Sequence, residues 1–327
     1  MHIEEYLKVY QPVTYRTFVN SLENKKLGHA YLISGYTGMP LKEVATYLAA
    51  SLVCDSPSPL ADLECKTCKR IYDGNYADLM IIDGEAGKIK KSDVENIMLN
   101  FDKTALEDKG VMIYILHLVE TMTPIAVNSL LKFLEEPGKN IYAFLTTENE
   151  AKVLPTIISR TQVLRLKKVD RSIIIKEATS AGILDEDAEI LSALYNDKDK
   201  IEKMAENDKY KIAKQALDDQ LQSMLISKDD AIFSCQRLVI PQIKDNETAR
   251  IYLKMLSAIF EDLLNLSVGS NIFIKSYDTI LQELVNKFPN LEKCLLEINT
   301  SITKLDLNVS IPLLLDHVVY EITKEDN

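Results

Sequence analysis

Apolar residues follow two different rhythms in the two halves of the chain. In the first half, short runs rich in branched and aromatic side chains alternate with stretches of helical spacing. Tyr31–Ser34, Leu79–Asp83, Val111–Leu116, Tyr142–Thr146 and Val163–Leu166 are compact apolar runs that read as buried strands. Between them, Lys42–Val53, Ser92–Phe101 and Thr123–Glu135 repeat apolar positions every three or four residues, which predicts helices. Ser92 and Glu95 have capping-box spacing, and Thr123-Pro124 places proline in a first helical turn that Pro137-Gly138 later stops. Strand–helix alternation implies right-handed crossovers and a parallel sheet covered on both faces.

After Leu166 the strand runs vanish. Amphipathic stretches follow at Asp170–Ala181, Asp187–Tyr195, Asp199–Glu206, Lys209–Leu225, Asp229–Val239, Glu247–Leu266, Tyr277–Lys287, Leu291–Ile298 and Pro312–Ile322. Several open on Asp or Ser, the residues that cap exposed amides. The expected organisation is an α/β domain over 1–166, a small helical domain over 167–208 and an all-α domain over 209–327. A chain of 327 residues exceeds what one core usually holds, so two or three domains are expected.

Composition changes this picture little. Apolar residues make up 46% and charged residues 27%, an ordinary globular mixture. No apolar run reaches the ~18 residues of a membrane span, and the opening MHIEEYLKVY is acidic where a signal peptide is basic. A cytoplasmic protein is expected. The net charge of −11 is shared unequally, with 18 basic and 21 acidic groups in the first 165 residues and 20 and 28 in the remainder. A chain built mainly to grip DNA phosphates carries a basic surplus on some domain, so the balance favours protein partners over a stand-alone DNA-binding module. Lys88, Lys90 and Lys91 form one small basic patch.

Four segments carry the chemistry. The run His29-Ala-Tyr-Leu-Ile-Ser-Gly35-Tyr-Thr-Gly38-Met-Pro40-Leu41-Lys42 is a strand, a turn and a helix start, the place of a phosphate-binding loop. A working loop needs Gly-x-x-x-x-Gly-Lys-Ser/Thr, with bare amides around the phosphates, a lysine reaching them and a hydroxyl on magnesium. Gly35 and Gly38 are present, but Pro40 stands at the last glycine position, Leu41 at the lysine and Lys42 at the hydroxyl. Proline has no amide to donate and leucine neutralises nothing. Lys42, displaced by one residue, leaves residual nucleotide contact open. The strand ending in His117 and Leu118 lacks the carboxylates that would hold magnesium and water, and Glu120 is expected to point elsewhere. A histidine there reads as a hydrogen-bonded structural residue.

The third segment, Ala126-Val-Asn128-Ser-Leu-Leu-Lys132-Phe-Leu-Glu-Glu136-Pro137, is a buried helix with an acidic end. The fourth, Leu154-Pro-Thr-Ile-Ile-Ser159-Arg160-Thr161, places an arginine at a strand entry, where a surface ion pair is the simplest reading. Taken in order with His29-Ala-Tyr-Leu, these segments resemble the clamp-loader ATPase family, a branch of the AAA+ proteins, and within it the bacterial delta-prime type, over residues of about 1–166. The helical remainder agrees with that family in length and class.

The resemblance implies an AAA+-like domain, a helical lid and a helical collar. It implies a non-hydrolysing subunit that binds no ATP itself, assembles with gamma/tau and delta, and helps to load the sliding clamp on primed DNA. Ser159-Arg160 matches the family's Ser-Arg-Cys, whose arginine reaches a neighbour's ATP as a finger; its fixed charge and planar fork suit that role. Thr161 replaces the family's cysteine and leaves the arginine intact. The alternative, an active gamma/tau-like ATPase, is opposed by Leu41, His117, Leu118 and the lack of a long C-terminal extension.

Family members commonly hold structural zinc on four cysteines in an insertion after the first helix of this domain. Cys54, Cys65 and Cys68 fall there, with Cys65-x-x-Cys68 at ligand spacing. The fourth position is Ile71, so Asp73 or a residue elsewhere has to substitute; otherwise three free thiols remain. Cys235 and Cys294 lie in helical patterns as small core residues.

Overall fold

All five predicted strands form, each within one or two residues of its expected bounds. The computed structural model describes residues 3–101, 104–288, 290–307 and 309–324, so the outermost bounds 1 and 327 of the expected domains fall outside it. The chain divides into two compact units, Met1–Lys168 and Val169–Asn327.

In the first unit α1 (Ile3–Tyr10) and α2 (Pro12–Glu23) precede β1 (Ala30–Ser34) and α3 (Leu41–Val53). There follow α4 (Lys66–Tyr72), β2 (Leu79–Asp83), α5 (Lys91–Phe101), β3 (Met112–His117), α6 (Pro124–Glu135), β4 (Ile141–Thr147), α7 (Pro155–Ile158) and β5 (Gln162–Arg165). The sheet order is β2-β3-β4-β1-β5, and every neighbouring pair is parallel. Strand β1 is buried at all five positions. One face packs Leu32, Tyr114, Leu116 and Leu145 against α5 and α6. On the other, Tyr31 stacks on its register partner Phe144 at 5.5 Å, and Phe18 of α2 meets Tyr31 edge-on at 5.4 Å.

The helices α1, α2 and α4 leave a weak periodicity, because each buries only two of its side chains. Gln11 fixes the first two: its amide donates to Lys167 O at 2.7 Å and its Oε1 accepts from Lys167 N at 2.7 Å, tying the N-terminal segment to the end of the sheet. The Ser92–Glu95 capping box does not form. Helix α5 already begins at Lys91, and Asp93 accepts the Lys90 amide at 2.7 Å, since it lies three residues beyond the donor that needs capping. At α6 the Thr123 hydroxyl accepts the Ala126 amide at 3.3 Å, as the Thr-Pro start predicts.

The second unit is all helical: α8 (Arg171–Ser180), α9 (Asp185–Leu194), α10 (Lys198–Ala205), α11 (Asp208–Ile226), α12 (Lys228–Ser234), α13 (Ile240–Gln242), α14 (Asn246–Ser267), α15 (Asp278–Leu284), α16 (Leu291–Lys304) and α17 (Ile311–Thr323). A π-helical turn, Cys235–Val239, joins α12 to α13. Asp170, Asp197, Asn207, Ser227 and Asp245 cap their helices with side-chain oxygens. Helix α14 is the axis of this unit, buried on most of its faces and packed on α11 and α16. Cys235 and Cys294 are both buried, as expected of core residues. Among the described residues, no helix is long and apolar enough to cross a membrane.

Asp262 of α14 is fully buried, and its Oδ2 accepts the amides of Phe273 (2.9 Å) and Ile274 (2.7 Å), pinning the connection to α15. Asp262→Ala strands these buried donors and should lower unfolding stability by about 1–3 kcal/mol. Asp262→Asn, which keeps one oxygen acceptor, should lose less. Urea denaturation of the two variants, with amide exchange at residues 273 and 274, checks the order.

Candidate functional site

The C-terminal ends of the parallel strands converge on one edge, where α/β sheets place their ligands. The turn from β1 to α3 lies there, and the amides of Gly35, Tyr36, Gly38, Met39 and Leu41 find acceptors within the chain. Gly35 N donates to Thr147 O at 3.0 Å, Tyr36 N to Met39 Sδ at 3.1 Å, and Gly38 N to Glu148 Oε1 at 3.0 Å. Met39 N and Leu41 N turn back to Tyr36 O and Met39 O, and Pro40 has no N–H. Gly38 takes φ of 84°, which suits glycine. The space over the loop is filled as well. A Cβ built on Gly35 would lie 2.7 Å from Leu41 Cδ2 and 3.0 Å from Met39 Sδ, and both of these side chains are buried. A carboxylate and two apolar side chains thus lie against the two glycines of this turn.

Lys42 is committed too. Its Nζ lies 2.5 Å from Asp83 Oδ2 at the end of β2. Burial pushes the Asp83 carboxyl up, but the Lys42 ammonium and the Glu85 amide outweigh it and hold it below the usual aspartate value. Asp83 is in register with His117. His117 is buried, with Nδ1 2.7 Å from Thr146 Oγ1 and Nε2 3.5 Å from Glu85 Oε1. It is the hydrogen-bonded structural histidine that its position suggests. Leu118 takes a left-handed conformation, φ 60°, and its amide donates to the same Thr146 hydroxyl at 3.0 Å. Glu120 Oε1 accepts the Glu148 amide at 2.8 Å, which steadies the residue that caps Gly38. Glu148 and Asp83 carry no sequence signal for these roles, since each is brought to the turn by the arrangement of the strands.

Arg160 follows the short helix α7, at some distance in sequence from this loop. Its Nη2 lies 2.5 Å from Glu135 Oε1 at the end of α6, and its Nη1 donates to Thr156 O at 2.9 Å. Ser159 Oγ donates to the same carbonyl at 3.1 Å. The Arg160 and Glu135 side chains are 33% and 50% exposed, so the guanidinium sits in a solvent-reached ion pair. Pairs of this kind are individually weak, and a competing anion can replace the partner at small cost.

The insertion gathers Cys54, which follows α3, with Cys65 and Cys68, at the start of α4. Cys54 Sγ and Cys65 Sγ are 3.8 Å apart, and the Cys68 amide donates to Cys65 Sγ at 3.4 Å. Burial pushes the Cys54 and Cys68 thiols up. Ile71 is buried, and Asp73 caps the far end of α4, about 12 Å along the helix axis from Cys65. The carboxylate that joins the three sulfurs is Asp62.

The family described as "DNA polymerase III, delta subunit" matches residues 10–170. Over 313 residues the chain is 29% identical to DNA polymerase III subunit delta' of Bacillus subtilis, covering 94% of this chain and 95% of that one. The chain belongs to the delta-prime clamp-loader family. A DNA polymerase III subunit tau from B. subtilis is 32% identical over 163 residues, but this covers 49% of the present chain and 28% of tau. A gamma subunit-related protein of Thermotoga maritima shares the fold, with a TM-score of 0.51 at 18% identity over 94% of this chain and 98% of that one. The AAA+-like parallel sheet and the all-helical second half therefore belong to a clamp-loader subunit of the delta-prime type.

The Lys42–Asp83 pair carries a pH signature. The Asp83 value is lowered on folding, so the pair's stabilisation is complete above the ordinary aspartate value near 3.8 and is lost as pH falls through the lowered one. The stability difference between the wild type and Asp83→Asn should thus be present at neutral pH and shrink in acid. Thermal melts across that range test it; a difference that did not diminish would contradict the pairing.

Proposed function

We propose that this chain is the non-hydrolysing, stator-like subunit of a replicative clamp loader. It assembles with gamma/tau-type ATPases and a delta subunit, and acts with them to place the sliding clamp on primed DNA in the cytoplasm. The observation that carries this reading is the self-filled loop: Glu148 on the Gly38 amide, Leu41 and Met39 over Gly35, and Lys42 drawn away to Asp83. Binding ATP there would require removing a carboxylate and two buried apolar side chains, with no cation in place to reward the exchange.

On this reading the functional group is Arg160, with Ser159 beside it, acting in a neighbour's ATP site. Guanidinium matches phosphate oxygens with a bidentate fork, and the exposed Glu135 pair holds it ready without burying it. We further assign residues 167–208 to a helical lid and 209–327 to a collar that meets the other subunits.

One measurement decides between this and an active gamma/tau-like ATPase, and a second tests Arg160. Purified alone, the chain should show no micromolar ATP affinity and no hydrolysis; either activity would end the stator reading. In the reconstituted loader, Arg160→Ala should slow the one ATP site it serves by about 10³-fold or more. Total DNA-stimulated turnover then falls by that site's share while the complex still assembles on gel filtration. Unchanged turnover would remove Arg160 from the mechanism.

A further inference from the structure

We propose that Asp62 is the fourth ligand of a zinc site whose other ligands are Cys54, Cys65 and Cys68, a three-thiolate, one-carboxylate site. The inference is independent of whether the subunit hydrolyses ATP. One donor atom from each of the four residues lies within 4.8 Å of all the others. A tetrahedral ion with Zn–S bonds of about 2.3 Å and a Zn–O bond of about 2.1 Å sets S···S near 3.8 Å and S···O near 3.6 Å. The separations here are 3.8 Å between Cys54 and Cys65 Sγ and 3.4 Å between Cys54 Sγ and Asp62 Oδ1. These two edges match those of the tetrahedron.

The loop is built to aim that carboxylate. Leu63 turns the backbone with φ of 60°, and Asp62 Oδ1 accepts the amides of Glu64 and Cys65, each at 3.1 Å. The Ser56 hydroxyl donates to Oδ2. The amide donated to Cys65 Sγ orients that sulfur in the same way. Three soft sulfurs select zinc over magnesium or calcium, and four protein ligands close the shell, which is the pattern of a structural site rather than a hydrolytic one. The ion would join the end of α3 to the start of α4.

The full-length chain, expressed with zinc and purified without chelator, should carry one zinc per molecule by mass spectrometry. Asp62→Asn keeps the oxygen that accepts the two amides but loses the anionic ligand. It should weaken zinc binding by at least about 100-fold, the upper end of what an outer-shell partner contributes. Asp62→Cys should retain zinc, and its cobalt form should show stronger thiolate-to-metal absorption than the wild type, from four sulfurs instead of three. Asp73→Ala should change neither. Circular dichroism on each variant separates ligand loss from misfolding, and Asp62→Cys supplies the test if the asparagine variant does not fold. A chain that takes up neither zinc nor cobalt overturns the proposal. So does an Asp62→Asn variant that holds zinc as tightly as the wild type, or a cobalt spectrum unchanged by Asp62→Cys.

Discussion

Backbone amides drawn out of water must find an acceptor elsewhere in the chain or in a ligand. In the β1–α3 turn this requirement governs the whole edge of the sheet. ATP-binding relatives of the fold meet it with phosphate. Here Gly38 meets it with Glu148, and Tyr36 with the sulfur of Met39. Because β1 and β4 pair in register up to Ser34 and Thr147, the residue after β4 arrives beside the turn without any further device. Glu120 then holds Glu148 through its amide, and the loop after β3 is drawn into the same network.

The charges on this edge settle among themselves in consequence. Lys42 would be the natural cation for a phosphate, yet Asp83 stands closer and is fixed by the Glu85 amide. His117 fills the strand end where magnesium-binding carboxylates would be needed, and Thr146 ties it and Leu118 to β4. The residues along this edge bond to one another: Glu148 with Gly38, Lys42 with Asp83, and His117 with Thr146.

Arg160 contrasts with that edge. Its partner Glu135 ends the α6 segment that most resembles the clamp-loader family, and the pair remains open to solvent. A buried pair in this position would be costly to break, whereas an exposed one is easily exchanged for a phosphate. The geometry leaves the guanidinium in contact with solvent.

Much of this was legible in the amino-acid order. Compact apolar runs specified the five strands and helical spacing the main helices, because a strand covered on both faces is apolar throughout while an amphipathic helix repeats every three or four residues. The motif positions were legible too: Pro40 and Leu41 stand where a phosphate-binding motif has glycine and lysine, and His117 and Leu118 where it has carboxylates. The sequence could not choose the partners: Glu148 for Gly38, Asp83 for Lys42, and Asp62 rather than Asp73 beside the cysteines. Those choices depend on strand register and on one left-handed turn at Leu63, which bring together residues up to 110 positions apart. No local pattern encodes such distances, so the tertiary structure alone decided them.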